Sequence, residues 1–143
     1  MAILLANAAA TLFMTGVGWF VQVVHYPLFG SVGADDFSRY HQAHSRLTTR
    51  VVLVPMTLEL ATSAWLVLER PAGVGPAAAW AGLTLALVTW GSTVLVQMRQ
   101  HRELAPAGVA ALVARNWPRT IAWTAHSAVV LGMLAAVARP SLW

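Results

Sequence analysis

The sequence contains no cysteine and no lysine, and it has few charged residues of any kind. The absence of cysteine from all 143 residues excludes disulfides, thiolate metal sites, iron–sulfur clusters and a cysteine nucleophile. Charged residues make up 10% of the chain, against about 25% in ordinary globular proteins. Hydrophobic residues make up 58%. This composition excludes a soluble domain.

Four long apolar runs account for most of the chain. Charged residues are absent from residues 1–34, 71–98 and 120–138, and residues 51–68 contain only Glu59. A bilayer core needs roughly 20 apolar residues per helix. The sequence therefore predicts four transmembrane helices at about 3–25, 51–68, 77–98 and 119–138.

Two further segments have the pattern of short amphipathic helices. Asp35 and Asp36 can begin a helix over about 35–48, in which aromatic and histidine residues recur at three- and four-residue spacing. A second such helix is predicted over about 105–116. We expect both to lie at the membrane surface. The predicted fold is a single all-α integral membrane domain over residues 1–143, a four-transmembrane-helix bundle with two interfacial helices.

The arginines predict the orientation of the chain. Seven of the nine lie in the loops after the first and third spans, so those loops are expected in the cytoplasm and both termini outside. The isoelectric point near 11.2 resembles that of a nucleic-acid binder. However, the basic residues are sparse and lie in loops and at helix ends, so no nucleic-acid partner is expected. We predict a multi-pass protein of the bacterial cytoplasmic membrane, with the lipid bilayer as its surroundings.

Each predicted span carries one stripe of polar residues, which are costly in a membrane and are therefore candidate functional residues. The stripes hold, in chain order, Thr11, Thr15, Gly18, Gln22 and His25, then Glu59, then Trp90, Thr93, Gln97 and His101, then Asn116, Arg119, Trp123 and His126. From the helical rise, Glu59 lies about 13 Å beyond Arg50 and His126 about 12 Å beyond Pro118. Glu59 and His126 could therefore meet at one depth.

Histidine and carboxylate side chains are the candidate metal ligands. The predicted set is His25, His41, His44, His126 and Glu59. Without thiolate, such ligands suit iron, copper, zinc or manganese, and histidine also binds haem. The alternatives are histidines that bond to neighbouring helices or face lipid headgroups, and a Glu59 that forms an ion pair with Arg50 or Arg119 or carries protons.

Two stretches, "GWFVQVVHYPLF" and "NWPRTIAWTAHSAVVLGML", resemble a family of small four-span bacterial and fungal membrane proteins that includes the anthrone oxygenase-like proteins. Asn116, Arg119 and Trp123 match the Asn, Arg and Trp of that family's closing helix. The segment from Tyr40 to His44 falls outside the resemblance. The resemblance implies oxidation of a hydrophobic substrate, a class that includes aromatic compounds.

The leading hypothesis from the sequence is a membrane-embedded oxidoreductase that binds a metal or haem and acts on a hydrophobic small molecule in a cytoplasm-facing pocket. Glu59 and His126 are its predicted catalytic residues. The predicted substrate-binding residues are Gln22, Trp90, Gln97, Asn116, Arg119 and Trp123. The alternative is a proton-coupled carrier or ligand-binding membrane protein centred on Glu59. A purely structural subunit is the third possibility. A homo-oligomer could form through the Ala8–Ala10 run, Gly16 and Gly18.

Overall fold

The computed structural model describes residues 1–97 and 105–138. All of its secondary-structure elements are helical. The long helices are α1 (Ala2–Phe20), α3 (Ala34–Leu68), α4 (Pro76–Ser92) and α5 (Val109–Ala138), with the short α2 (Tyr26–Leu28) after α1. Wide π-helical turns cover Val21–His25 and Thr93–Gln97, and 3-10 turns cover Phe29–Ser31 and Pro106–Gly108.

Four helical segments are long and apolar enough to cross a membrane. They are Ala2–Ser31, Ala34–Leu68, Pro76–Leu95 and Val109–Ala138. The prediction of an all-α protein with four such helices is therefore confirmed over the described residues. Many large apolar side chains point away from the protein interior, among them Phe20, Val54, Leu68 and Ile121. Outward apolar faces are typical of helices that contact lipid, and the chain is that of a multi-pass membrane protein.

Local sequence explains where the helices begin and end. Asp35 and Asp36 lie in the first turn of α3, where acidic side chains interact favourably with the positive end of the helix dipole. Glu69 ends α3, and the connection turns at Gly73, whose φ of 92° is a left-handed conformation that glycine adopts most readily. Pro76 then occupies the first turn of α4, where its missing N–H costs nothing.

The structure differs from the prediction of separate interfacial helices over 35–48 and 105–116. Residues 35–48 form the beginning of α3, which continues without a break through the second predicted span. Residues 48–51 (Thr-Thr-Arg-Val) include neither glycine nor proline, so this stretch has no helix-breaking residue between the two predicted segments. Residues from Val109 onward likewise belong to α5, and Pro118, which directly precedes the predicted fourth span at 119–138, lies inside this helix. Pro55 also lies in a helix interior.

The long helices pack around a partly polar interior. Helix α1 contacts α3 and α5, and α4 contacts the same two helices. One apolar cluster, of Val21, Tyr26, Phe29, Phe37, Val109 and Leu112, joins the end of α1 to the beginnings of α3 and α5. We call this the aromatic end. A second cluster, of Leu4, Leu66, Val74 and Met133, lies at the opposite end. Among the buried polar residues, His41 and His44 pack against the aromatic end, and Glu59 and His126 lie between the two clusters.

Candidate functional site

The most deeply buried ionisable residues are Glu59 of α3 and His126 of α5, which contact each other directly. Glu59 Oε1 lies 2.8 Å from His126 Nδ1, and both residues are 0% exposed. The indole N–H of Trp123 donates to Glu59 Oε2 at 3.0 Å. The depth calculation that placed Glu59 and His126 at one level is confirmed. We call Glu59, Trp123 and His126 the carboxylate cluster.

The carboxylate cluster is closed on its other sides by α4 and α1. A methyl group added at Gly82 of α4 would lie 3.3 Å from His126 Nε2, so the helix backbone passes close to the imidazole. His126 Nε2 is buried and has no hydrogen-bond partner within the described residues. The amide of Asn7 donates to the Glu59 carbonyl oxygen at 3.1 Å and to the hydroxyls of Thr62 and Ser63. These contacts fix α1 against α3 beside the cluster.

A cavity of about 700 Å³ lies between the carboxylate cluster and the aromatic end. Its lining comes from α1 and the turns that follow it, the first two thirds of α3, Thr93 just after α4, and α5. The inner wall is apolar and consists of Met14, Val17, Val21, Val52, Met56 and Trp123. The wall formed by the first turns of α3 is polar and includes Ser38, His41, Gln42, His44, Ser45, Arg46, Thr48 and Thr49. The cavity is therefore amphipathic.

Arg119 brings a positive charge to the inner part of this cavity. Its guanidinium carbon lies 5.1 Å from the centre of the Trp123 ring, which is within cation–π range. Its Nη1 donates to the Thr93 hydroxyl at 3.3 Å, and its side chain is hydrogen-bonded to the Tyr26 hydroxyl. The Nε atom is buried without a hydrogen-bond partner among the described residues. Arg119 thus combines a positive charge with one unsatisfied N–H group.

A histidine pair lies between the end of α1 and the polar wall. His25 Nε2 and His44 Nδ1 are 2.7 Å apart, and the Thr48 hydroxyl lies 3.1 Å from the same His44 nitrogen. Phe29 packs edge-on against the His44 ring, with ring centres 4.9 Å apart. His41 stacks on Phe37. His41 and His44 both line the cavity, and both are buried.

Gln22 and Asn116 form a separate polar contact between α1 and α5. The Asn116 amide donates to Gln22 Oε1 at 2.7 Å, and Gln22 Nε2 donates to the Val113 carbonyl oxygen. Both residues are almost fully buried. Gln22 lies in the π-helical turn Val21–His25, and such turns are frequent at functional sites. Through these hydrogen bonds, the side chains of Gln22 and Asn116 serve chiefly to join the two helical segments.

The structure brings together some of the predicted site residues and separates others. Of the predicted substrate-binding residues, Arg119 and Trp123 line the cavity, whereas Trp90 donates to the Met56 carbonyl oxygen and packs beside Met14, Met56 and Trp123. The Gln97 side chain lies outside the described residues, as do His101 and Glu103. The roles assigned to these residues stay predictions.

The predicted metal ligands fall into two groups. Glu59 and His126 contact each other, while His25, His41 and His44 lie at the cavity wall. Over residues 1–97 and 105–138, no group of three or more His, Cys, Asp or Glu side chains is placed to hold a metal ion. The facing atoms of Glu59 and His126, and those of His25 and His44, are already engaged in a hydrogen bond. As arranged, this donor set does not fit a three-ligand metal centre.

Two residues of the site were not predicted from the sequence. Asn7 lies four positions before Thr11 and so extends the polar stripe of α1 by one turn, a signal that was present in the spacing. Tyr26 follows His25, and nothing in its spacing distinguishes it from an interfacial aromatic residue. Its contact with Arg119 depends on how α1 and α5 pack.

The chain matches no protein-family model, no curated protein and no solved structure. The resemblance to the family that includes the anthrone oxygenase-like proteins therefore stays a prediction.

Proposed function

We propose that this protein binds, within the membrane, a hydrophobic small molecule that carries an anionic head group. The observation that supports this function is the amphipathic cavity of about 700 Å³ with Arg119 at its inner part. Arg119 is a partly buried cation whose neighbours are the Trp123 ring and the hydroxyls of Thr93 and Tyr26, and its Nε lacks a partner within the described residues. A guanidinium in such surroundings is suited to bind a carboxylate or sulfonate through charge-assisted hydrogen bonds.

The lining of the cavity suggests how such a molecule lies in it. The head group binds Arg119 and the apolar body packs against Met14, Val21, Met56 and Trp123. The hydroxyl-rich wall of α3 faces the more polar parts of the ligand. Ligand sites in proteins commonly combine an apolar lining with a few polar groups that fix orientation.

We also propose the membrane arrangement predicted from the sequence. The four spans form a bundle in the bacterial cytoplasmic membrane, both termini lie outside, and the cavity opens towards the cytoplasm. The first turns of α3 and the beginning of α5 lie near the membrane surface. The arginines Arg39, Arg46, Arg50 and Arg115 are exposed and lie in those halves of α3 and α5 that begin at the aromatic end, which agrees with the positive-inside rule for a cytoplasmic end. Homo-oligomerisation through small residues of α1 belongs to the same proposal.

The oxidoreductase predicted from the sequence stays a prediction. Among residues 1–97 and 105–138, the contacts Glu59–His126 and His25–His44 do not add up to a group of three metal-binding side chains. Binding is the part that both sequence-based hypotheses share, since an enzyme and a carrier each need this cavity. The carboxylate cluster borders the cavity through Trp123, so a bound molecule would lie one side chain away from Glu59.

Two probes that differ only in charge test the proposed function. Anilinonaphthalene sulfonate is a fluorescent aromatic anion, and phenylnaphthylamine is the same molecule without the sulfonate. Their binding to the protein in lipid nanodiscs is measured by titration, with empty nanodiscs subtracted. We expect saturable binding of the anion and about a ten- to hundredfold loss of its affinity in Arg119→Gln, because one charge-assisted contact contributes about 1.5–3 kcal/mol.

Arg115→Gln is the matched control, since Arg115 is exposed one turn before Arg119 on the same helix and does not line the cavity. It should bind the anion as the unmodified protein does. The neutral probe should bind Arg119→Gln and the unmodified protein alike. Absence of saturable anion binding, or equal losses in Arg119→Gln and Arg115→Gln, would refute the proposed function.

A further inference from the structure

The polar and apolar parts of the cavity lining follow one another along α3. The polar wall ends at Thr49, and the apolar lining residues Val52 and Met56 follow within the next two turns. From Ser38 to Met56, the first and last of the lining residues on this helix, α3 rises about 27 Å. A ligand that occupies the whole cavity therefore changes from polar to apolar along its length.

Arg119 contacts side chains of both parts. Its guanidinium carbon is 5.1 Å from the centre of the Trp123 ring, which belongs to the apolar wall. It is also hydrogen-bonded to Tyr26, whose ring centre is 6.0 Å from that of His44 on the polar wall. An anion bound at Arg119 therefore has apolar and polar lining next to it.

Two exposed tryptophans indicate the depth of Arg119 in the proposed membrane arrangement. Trp19 and Trp117 pack edge to face, with ring centres 5.8 Å apart. Tryptophan side chains are enriched at the level of the lipid head groups. Trp117 precedes Arg119 by two residues, or about 3 Å of helical rise, and Trp19 follows the cavity residue Gly18. In that arrangement, Arg119 therefore lies near the level of the lipid phosphates.

The polar wall contains a hydrogen-bonding group that the described residues leave unused. The Ser45 hydroxyl oxygen is buried and has no hydrogen-bond partner among residues 1–97 and 105–138. Gln42 lies three residues earlier and also lines the cavity. Hydroxyl and amide side chains can both donate and accept, which matches the hydroxyl groups of a ligand.

The cavity reaches the protein surface at the polar wall, because Gln42, Arg46 and Thr49 line it and are also exposed. In the proposed membrane arrangement, this opening lies at the cytoplasmic surface of the bilayer, where lipid head groups are present. Arg46 adds a second positive charge at the opening, which favours the entry of an anion.

We propose that the ligand is an anionic membrane amphiphile in which a phosphodiester joins an apolar chain to a hydroxyl-bearing head group. The inference rests on the proposed function and names the class of its ligand. The phosphodiester binds Arg119, and the chain packs against Met56 and Trp123. The hydroxyls of the head group bond to Ser45 and Gln42. A guanidinium binds phosphate oxygens through charge-assisted hydrogen bonds. A fatty acid, in contrast, has no group beyond its carboxylate to contact the polar wall.

Displacement of anilinonaphthalene sulfonate by two lysolipids tests this inference on the protein in phosphatidylcholine nanodiscs. Oleoyl lysophosphatidylglycerol has the proposed order of groups. Oleoyl lysophosphatidylmethanol has the same chain and the same single negative charge, but a methyl group replaces its glycerol head group. For the unmodified protein we expect the glycerol lipid to displace the fluorophore at about a five- to tenfold lower concentration, because one hydrogen bond changes an affinity by about fivefold.

Ser45→Ala removes the unpartnered hydroxyl and should reduce this preference to about twofold or less, while the methyl lipid displaces the fluorophore as before. Gln42→Ala should reduce the preference as well. Ser31→Ala, the same substitution as Ser45→Ala at an exposed residue outside the cavity lining, is the matched control and should keep the full preference. Circular dichroism of each variant establishes that it is folded.

The outcomes separate this inference from the proposed function. Equal displacement by the two lysolipids from the unmodified protein, or no displacement by either, would overturn the inference and leave the proposed function standing. A preference that persists unchanged in both Ser45→Ala and Gln42→Ala would also overturn it. Glycerol phosphate, a soluble head group without the chain, should not displace the fluorophore at concentrations at which the glycerol lipid does, and equal potency would overturn the inference. Failure of the fluorophore to bind the unmodified protein would overturn the proposed function itself.

Discussion

Replacing Glu59 by leucine should destabilise the protein strongly, because the carboxylate is the shared acceptor of two buried N–H groups. His126 Nδ1 and Trp123 Nε1 both contact it, and neither residue is more than 1% exposed. Leucine offers no acceptor, so both donors would be buried without partners.

The expected loss follows from these two donors. Each unsatisfied buried donor costs about 1–3 kcal/mol, so Glu59→Leu should lower the free energy of unfolding by about 2–6 kcal/mol. The contact of Asn7 with the backbone carbonyl of residue 59 does not depend on the side chain and should persist.

A second substitution tests whether the unpaired donors cause the loss. In Glu59→Leu with His126→Leu, the His126 donor is gone and only the Trp123 N–H stays unsatisfied, so about half of the lost stability should return. Adding Trp123→Phe removes the last of these donors. Unfolding of the detergent-solubilised protein by sodium dodecyl sulfate, followed by circular dichroism, gives the free energy for each variant.

The reasoning would be refuted by two results. A loss below about 0.5 kcal/mol for Glu59→Leu would mean that the two contacts contribute nothing beyond ordinary surface substitutions. Strictly additive losses for Glu59→Leu and His126→Leu would mean that the two side chains are not energetically coupled. Either result would mean that the carboxylate cluster does not act as one structural unit.

Two further comparisons use glycines that differ in their surroundings. Gly18→Ala would place a methyl group 3.2 Å from the Trp123 ring, whereas the methyl group of Gly16→Ala would meet nothing within 4 Å. Only Gly18→Ala should therefore lower the thermal unfolding midpoint. Equal midpoints for the two variants would contradict the close packing of Gly18 against Trp123. Gly73→Ala combines a φ of 92° with a contact of 3.0 Å to a carbonyl oxygen of α5 and should cost at least 1 kcal/mol of unfolding free energy. Gly75→Ala, with open space around it, should cost less than half as much in the same assay, and a larger cost there would contradict that placement.

The number of long helices and the meeting of Glu59 with His126 could be predicted because both depend on local periodicity. Apolar run length predicts a span, and helical rise predicts depth within it. Rotation about the helix axis is harder to predict. Depth and stripe alone left Arg50, Arg119 and the histidines as possible partners of Glu59. The way α1 and α4 each pack against both α3 and α5 turns Glu59 and His126 towards each other across the interior.

The unpredicted features depend on contacts between distant segments. The change from polar to apolar composition near residue 50 suggested two separate helices. No glycine or proline interrupts the chain between Thr48 and Arg50, and α3 continues through both residues. The contact between Tyr26 and Arg119 joins residues far apart in the chain and has no local signal. The π-helical turn Val21–His25 also leaves no recognisable pattern in its sequence.

The positions of Pro55 and Pro118 have a mechanical consequence. A proline inside a helix leaves one carbonyl oxygen, four residues earlier, without its backbone hydrogen bond, so α3 and α5 each have a point of reduced bending stiffness. Pro55 lies between the cavity residues Val52 and Met56, and Pro118 directly precedes Arg119. Both compliant points therefore lie beside the cavity, where a small change of helix angle alters its width without breaking further hydrogen bonds. Under the proposed function, such a wall would adjust to ligands with apolar bodies of different width, while the anionic end of each would bind the same arginine.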